Sequence, residues 1–270
     1  TGGWGWAYVG DADRGNKGDQ PGGWLFNTMP YIEESNGHEM CKDGDFSTLS
    51  QTQLEGARQV VTSPLSMINC PTRRPNGVFP KPVDGVLVAR NAARNDRDNN
   101  VAGRTCYAIN AGDNRSLDHP DGPRNYEAAE TYAWLMTNSG RDPRRPQRFI
   151  ATGVSFQRSE IKLRHVVDGT SKTYLVVEKY LNPEHYDTGR DGADNETWCT
   201  GYNNDNYRMA GAQPLQDRPG FGSGTLMGSA HNSGFTASMC DGSVHFVNYY
   251  IDLDVHKSNG NRRDAKTVRR

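Results

Sequence analysis

The dipeptide Asp241-Gly242 constrains this chain more than any other feature. It lies within HNSGFTASMCDGSVHF, residues 231–246, where small or apolar residues alternate with polar ones on both sides. Asp-Gly is a strong signal for a two-residue hairpin loop, because a type I′ turn needs positive φ at both central positions. Such a loop sets Cys240 opposite Ser243, Met239 opposite Val244, Ser238 opposite His245 and Ala237 opposite Phe246. Side chains alternate along a strand, so Phe235, Ala237, Met239, Val244 and Phe246 are expected on the core face. The chain must therefore build antiparallel sheet near its C-terminus. The turn explains Asp241 and Gly242 and leaves His231, at the hairpin entrance, without a local role.

A sheet needs a centre, and Thr173-Tyr-Leu-Val-Val-Glu178 is the most strand-like run, apolar enough for a central strand. Thr105-Cys-Tyr-Ala-Ile-Asn110 predicts another strand, and Ser66 to Cys70 a short one. Helix is expected between Ser47 and Ser63: Ser50 with Gln53 forms a capping-box pattern, Leu54, Ala57, Val60 and Val61 share a stripe, and Pro64 blocks continuation. Residues 25–33 predict a helix start. Tyr126, Ala129, Ala133 and Met136 give a second stripe with Gly140 as its stop. Val83-Asp-Gly-Val-Leu-Val-Ala89 is a further apolar run. The remainder is turn-rich: 270 residues carry 30 Gly and 14 Pro, and 34% are hydrophobic. Many short strands, two or three helices and long loops predict an α+β fold with a mainly antiparallel sheet, as one domain over residues 1–270. Loops beyond about 15 residues are uncommon unless functional or braced, so something must hold these.

Two acidic loops offer a brace. Asp187, Asp191, Asp194 and Glu196 form one set, and Asp11, Asp13 and Asp19 another, each spaced through Gly-rich backbone. Calcium takes six to eight oxygens from flexible loops, which makes both sets candidate ligands, although neither follows the full EF-hand order. Asp, Asn and Gly also serve simply as turn residues. The five cysteines, Cys41, Cys70, Cys106, Cys199 and Cys240, include no C-x-x-C pair, which argues against a zinc ribbon. Either the cysteines are small buried hydrophobes or one or two disulfides form, and one or two disulfides in an exported protein are expected. A zinc site from His231, Asp241 and His245 is conceivable, but Asp241 in the turn and His245 down the strand should point apart. An enzyme would need Glu178 or His231 to meet a second titrating group in a cleft, and no catalytic residue is assigned. The net charge of −1 offers no field for nucleic acid, and the Arg-rich stretch 141–148 reads as a solvated loop. No run approaches the roughly 18 apolar residues of a membrane helix. Five tryptophans and twelve tyrosines could stack a glycan, though packing is their commoner use.

His231, nine residues, then Asp241-Gly242 also forms a signature, preceded by Gly228-Ser-Ala. In order along the chain stand Gly2-Gly-Trp-Gly-Trp6, Gly10-Asp-Ala-Asp-Arg-Gly15, Gln20-Pro-Gly-Gly-Trp24, Pro30-Tyr-Ile-Glu-Glu34, Cys70-Pro71, Tyr107 with Asn110, and Asp168-Gly-Thr-Ser-Lys-Thr173 with Glu178. This ordered set resembles a large planctomycete family of unknown function with prepilin-type N-termini and an H-x(9)-D-G motif, once catalogued as solute-binding. The resemblance implies a pilin-like or pseudopilin-like domain, exported to the cell surface, whose apolar anchor helix would precede Thr1. It implies a filament or homo-oligomer, with membrane attachment only through that helix. Calcium-braced loops would fit such a domain. A surface module binding a carbohydrate or small solute is the alternative. The resemblance marks His231, Asp241 and Gly242 as signature residues and carries over no catalytic ones.

Overall fold

The structure, a computed structural model, describes residues 2–81, 89–95, 100–115, 120–134 and 151–265. The predicted central strand forms as β4 (Tyr174–Glu178), in the middle of a five-stranded sheet among the described residues. Its neighbours are β3 (Tyr107–Asn110) and β8 (Gly234–Met239), both antiparallel to it. The short β5 (Tyr207–Arg208) pairs parallel with β3 at one edge, and β9 (Val244–Asn248) pairs antiparallel with β8 at the other. Two small ladders lie outside this sheet: β1 (Val78–Pro80) with β2 (Val101–Gly103), and β6 (Leu215–Gln216) with β7 (Gly228–Ser229). The fold is α+β and mostly antiparallel.

Four α-helices lie among the described residues, more than the two or three expected: α1 (Trp24–Thr28), α2 (Ser35–Met40), α3 (Gln51–Val61) and α4 (Leu253–Gly260). In α3 the Ser50 hydroxyl accepts from the Gln53 amide at 3.2 Å. The capping box is only half closed, because the Gln53 side chain turns inward and donates to the Cys41 carbonyl. Ala57, Val60 and Val61 pack with Leu25, Phe26, Met29 and Trp198 in one core. Gly10 belongs to this packing: a Cβ there would fall 2.0 Å from the Phe26 ring. Helix α4 was not expected, since its apolar content is low; Asp252 caps its N-terminus and His256 buries itself against Tyr174 and Phe235.

The hairpin forms, but one residue out of the expected register. Observed partners are Ser238 with Val244, Ala237 with His245 and Thr236 with Phe246. The loop has three residues, Cys240 to Gly242, closed by Gly242 N–H to the Met239 carbonyl and Met239 N–H to the Ser243 carbonyl. Only Gly242 takes positive φ, at 86°, so the turn is a type I turn followed by a left-handed glycine rather than type I′. Asp241 supports it by accepting from the amide and hydroxyl of Ser243. A slip of one residue moves a strand's whole apolar set to the other face. Phe235, Ala237 and Met239 are in the core as expected, whereas Val244 and Phe246 are 65% and 59% exposed.

Other expectations are corrected. Ser66–Ile68 is a 3-10 turn, not a strand. The stripe from Tyr126 yields only a 3-10 turn at Glu127–Ala129, while Met136 and Gly140 lie outside the described residues, as do the stretch 141–148 and all but Ala89 of the apolar run 83–89. All five cysteines are free thiols, four of them buried, so the expected disulfides are not formed. No helix among the described residues is long and apolar enough to cross a membrane.

Candidate functional site

Each acidic loop is a candidate calcium set by sequence. The structure instead gives most of their carboxylates protein partners. Asp194 is buried between Arg74, which grips both its oxygens, and Lys179, whose ammonium lies 2.7 Å from Oδ1. Lys179 completes its three bonds with the carbonyls of Ala193 and Asp205. Glu196 pairs with buried Lys81 at 3.2 Å, and Asp191 accepts from the amides of Asn182 and Ala193. Asp187 is exposed and stands apart from these pairs. In the first loop Asp11 is buried and accepts from the Tyr126 hydroxyl at 2.7 Å, Asp13 accepts from the amides of Asp43 and Gly44, and Asp19 pairs with Arg158. Neither set gathers three carboxylates at ligand spacing among the described residues.

These pairs hold the long loops. Arg73 and Arg74 follow Cys70-Pro71 after one intervening residue, Thr72, and both guanidinium groups are buried. Arg73 makes a two-pronged contact with Asp217 and donates to the carbonyls of Cys106, Lys179 and Gly228. Arg74 reaches the carbonyls of Thr105 and Tyr186 as well as Asp194. Burial alone would raise the Asp194 carboxyl, but Arg74 and Lys179 outweigh it and hold it well below the usual carboxylate range. Asp205 lies in the same region with one buried oxygen unpartnered, and burial pushes its carboxyl up to about 7. Sequence reading had no signal for this arrangement, since nothing local distinguishes a buried arginine from a solvated one.

The signature residues separate. Asp241 and Gly242 are at the exposed hairpin tip, where His245 meets Ser243 rather than His231. The zinc set of His231, Asp241 and His245 is therefore not assembled. His231 instead lies between β7 and β8, its amide donating to the Ser229 hydroxyl and its carbonyl accepting from Tyr249. Its Nε2 is 3.5 Å from Glu178 Oε1 and 3.9 Å from Cys70 Sγ. The three donor atoms lie within 4.8 Å of one another, the one such group of three or more His, Cys, Asp or Glu among the described residues.

Each member arrives by a different route. Glu178 ends β4, and its Oε2 accepts from the Thr236 amide of β8 at 2.7 Å, while buried Oε1 has no hydrogen-bond partner. Cys70 is held by the turn in which Arg73 and Arg74 amides return to its carbonyl. The Glu178 side chain is 2% exposed and that of His231 40%, so the group opens to solvent on the histidine side. Tyr107 stands across the ladder from Glu178; burial, and then the charges of Glu178 and Cys70, raise its phenol. Glu178 and His231 thus meet each other, while none of the clefts beside Trp24, Met40 or Tyr8 is lined by either of them. Every member lies in a stretch of the signature, but only the tertiary fold brings 70, 178 and 231 together.

With this geometry in view, the chain belongs to the family described as protein of unknown function (DUF1559), which matches residues 5–254. No curated protein and no solved structure matches it.

Proposed function

We propose that this chain is an exported structural domain of pilin or pseudopilin type that assembles with copies of itself in, or on, an extracellular filament. The observation that carries this reading is the bare end of the main sheet. Residues 151–166 cover the face bearing Ile109 and Tyr207. Among the described residues the same face is left bare at β9, with Val244 and Phe246 exposed and Tyr250, just beyond, 95% exposed. Strand β9 is also an edge of that sheet among the described residues. An apolar edge strand is a template for pairing, and natural proteins leave one open where a partner covers it. The test is light scattering on protein produced with the leader and anchor helix that the resemblance implies. Wild type should assemble and Phe246→Lys should remain monomeric; assembly unaffected by Phe246→Lys would remove the reading.

A ligand-binding module is the second reading, and it has its own support. A cleft of about 580 Å³ opens beside Trp24, lined by Asn27, Ser159, Glu160, Lys162 and Leu175. A mixed polar and apolar lining of that size suits a sugar or other small polar solute. The tryptophans do not form a platform: Trp4 and Trp198 are buried, and Trp6, Trp24 and Trp134 half-buried. Calorimetry with a panel of oligosaccharides, on wild type and Trp24→Ala, checks it; no heat with any of them would set it aside.

A further inference from the structure

The geometry points to a zinc site formed by Cys70 Sγ, Glu178 Oε1 and His231 Nε2, with a fourth coordination position open to solvent. The two distances at His231 favour a shared ion over direct bonding. A charge-assisted N–H···O bond closes to about 2.7–2.9 Å, yet Nε2 and Oε1 stand 3.5 Å apart. Zinc bonds of about 2.3 Å to sulfur and 2.0–2.2 Å to nitrogen and oxygen place tetrahedral ligands roughly 3.4–3.6 Å from one another. The observed 3.5 Å fits that edge and the observed 3.9 Å is only slightly longer.

The chemistry of the set agrees. Thiolate, imidazole and carboxylate together suit zinc, a borderline cation that accepts all three donor types. A thiolate and a carboxylate carry two negative charges, which one zinc ion neutralises; the thiol proton leaves to solvent on binding. The buried Glu178 Oε1 would gain the partner it lacks. Its other oxygen is anchored on the Thr236 amide, which aims the free one at the cluster. His231 is oriented through its own backbone by Ser229 and Tyr249.

A Cys-His-Glu hydrolytic triad is the competing reading, and the ring geometry opposes it. In such a triad one imidazole nitrogen faces the nucleophile and the other the carboxylate. Here the same Nε2 faces both Cys70 and Glu178. One nitrogen cannot take a proton from the thiol while pairing with the carboxylate, but it can donate its lone pair to an ion lying between them.

Cobalt(II) reports the site directly, because a cobalt–thiolate bond gives a ligand-to-metal charge-transfer band and tetrahedral cobalt gives intense d–d bands. The 270-residue chain, stripped with a chelator, is titrated with Co2+ and then with Zn2+. One equivalent of Co2+ should bind with both features, and Zn2+ should displace it. Cys70→Ser should abolish the charge-transfer band, and His231→Gln should weaken zinc binding by at least about 100-fold. Cys240→Ser, at the other end of β4, should change neither. Absence of the charge-transfer band in the wild type overturns the proposal, as does its persistence in Cys70→Ser. The wild-type spectrum decides the matter even if a variant fails to fold.

Discussion

Two regions of this molecule gather charged and ligating side chains, and they treat them in opposite ways. Around Asp194 opposite charges close on one another: Arg74 and Lys179 bracket the carboxylate, and both also donate to backbone carbonyls. Around Glu178 the groups approach without closing, and one buried carboxylate oxygen is left without a hydrogen bond. Both regions are assembled from distant segments, and both sit against the same strand, since Glu178 and Lys179 are consecutive. The difference teaches what a cluster of acids in a sequence can mean. Where the fold brings its own cations, carboxylates brace loops. Where it brings other donors at ligand spacing, they remain open to an ion from outside.

The largest effect should come from unbalancing the closed region. Asp194→Asn leaves Arg74 and Lys179 buried without their counter-charge, and a broken buried pair costs about 3–5 kcal/mol. Urea unfolding in metal-free buffer should show that loss. A loss below about 1 kcal/mol would mean that Asp194 is not what holds the 182–205 loop.

Asp205 gives a signed test of the same region. Its folded pKa, about 7, exceeds the ordinary value of 3.8. Below pH 4 the carboxyl is protonated in both folded and unfolded chains and contributes nothing. From pH 4 to 7 the folded chain holds a proton that the unfolded chain releases, so this group lowers stability as pH rises, and the deficit is complete above pH 7. Asp205→Asn removes that slope. Relative to wild type, its melting temperature should gain little at pH 4 and most at pH 8; equal shifts at both would place the Asp205 carboxyl outside this linkage.

The open region should respond least. In metal-free buffer Glu178→Gln keeps an acceptor for Thr236 and should cost about 1 kcal/mol or less, and His231→Gln, on a partly exposed side chain, about 0.5 kcal/mol or less. Zinc should stabilise the wild type and neither variant to the same degree. If Glu178→Gln destabilises as much as Asp194→Asn, the contrast between the closed and open regions fails.

Local pattern was legible where local physics decides the outcome. The central strand, the cap of α3 and the existence of the hairpin all follow from propensity, capping and turn chemistry within a few residues. The hairpin register was not legible, because Asp-Gly serves both a two-residue and a three-residue loop. One additional loop residue turned Val244 and Phe246 outward. Helix α4 escaped notice because its stability comes from burying His256 and from the Asp252 cap rather than from an apolar stripe. The free thiols likewise reflect where the chain places each cysteine, which spacing does not encode.

The candidate site divides in the same way. His231 and Glu178 stood out singly, one by its place in the signature and one at the end of an apolar strand, and Cys70 only as part of a Cys-Pro pair. The sequence by itself determined an α+β chain with a central strand, a C-terminal hairpin and long polar loops that need internal support, because those features rest on interactions between near neighbours. Only the tertiary structure decided that arginine and lysine, drawn from residues 73, 74, 81 and 179, supply that support, and that residues 70, 178 and 231 share one opening. Burial and pairing depend on which distant segments meet, and that is a property of the whole packing rather than of any stretch of chain.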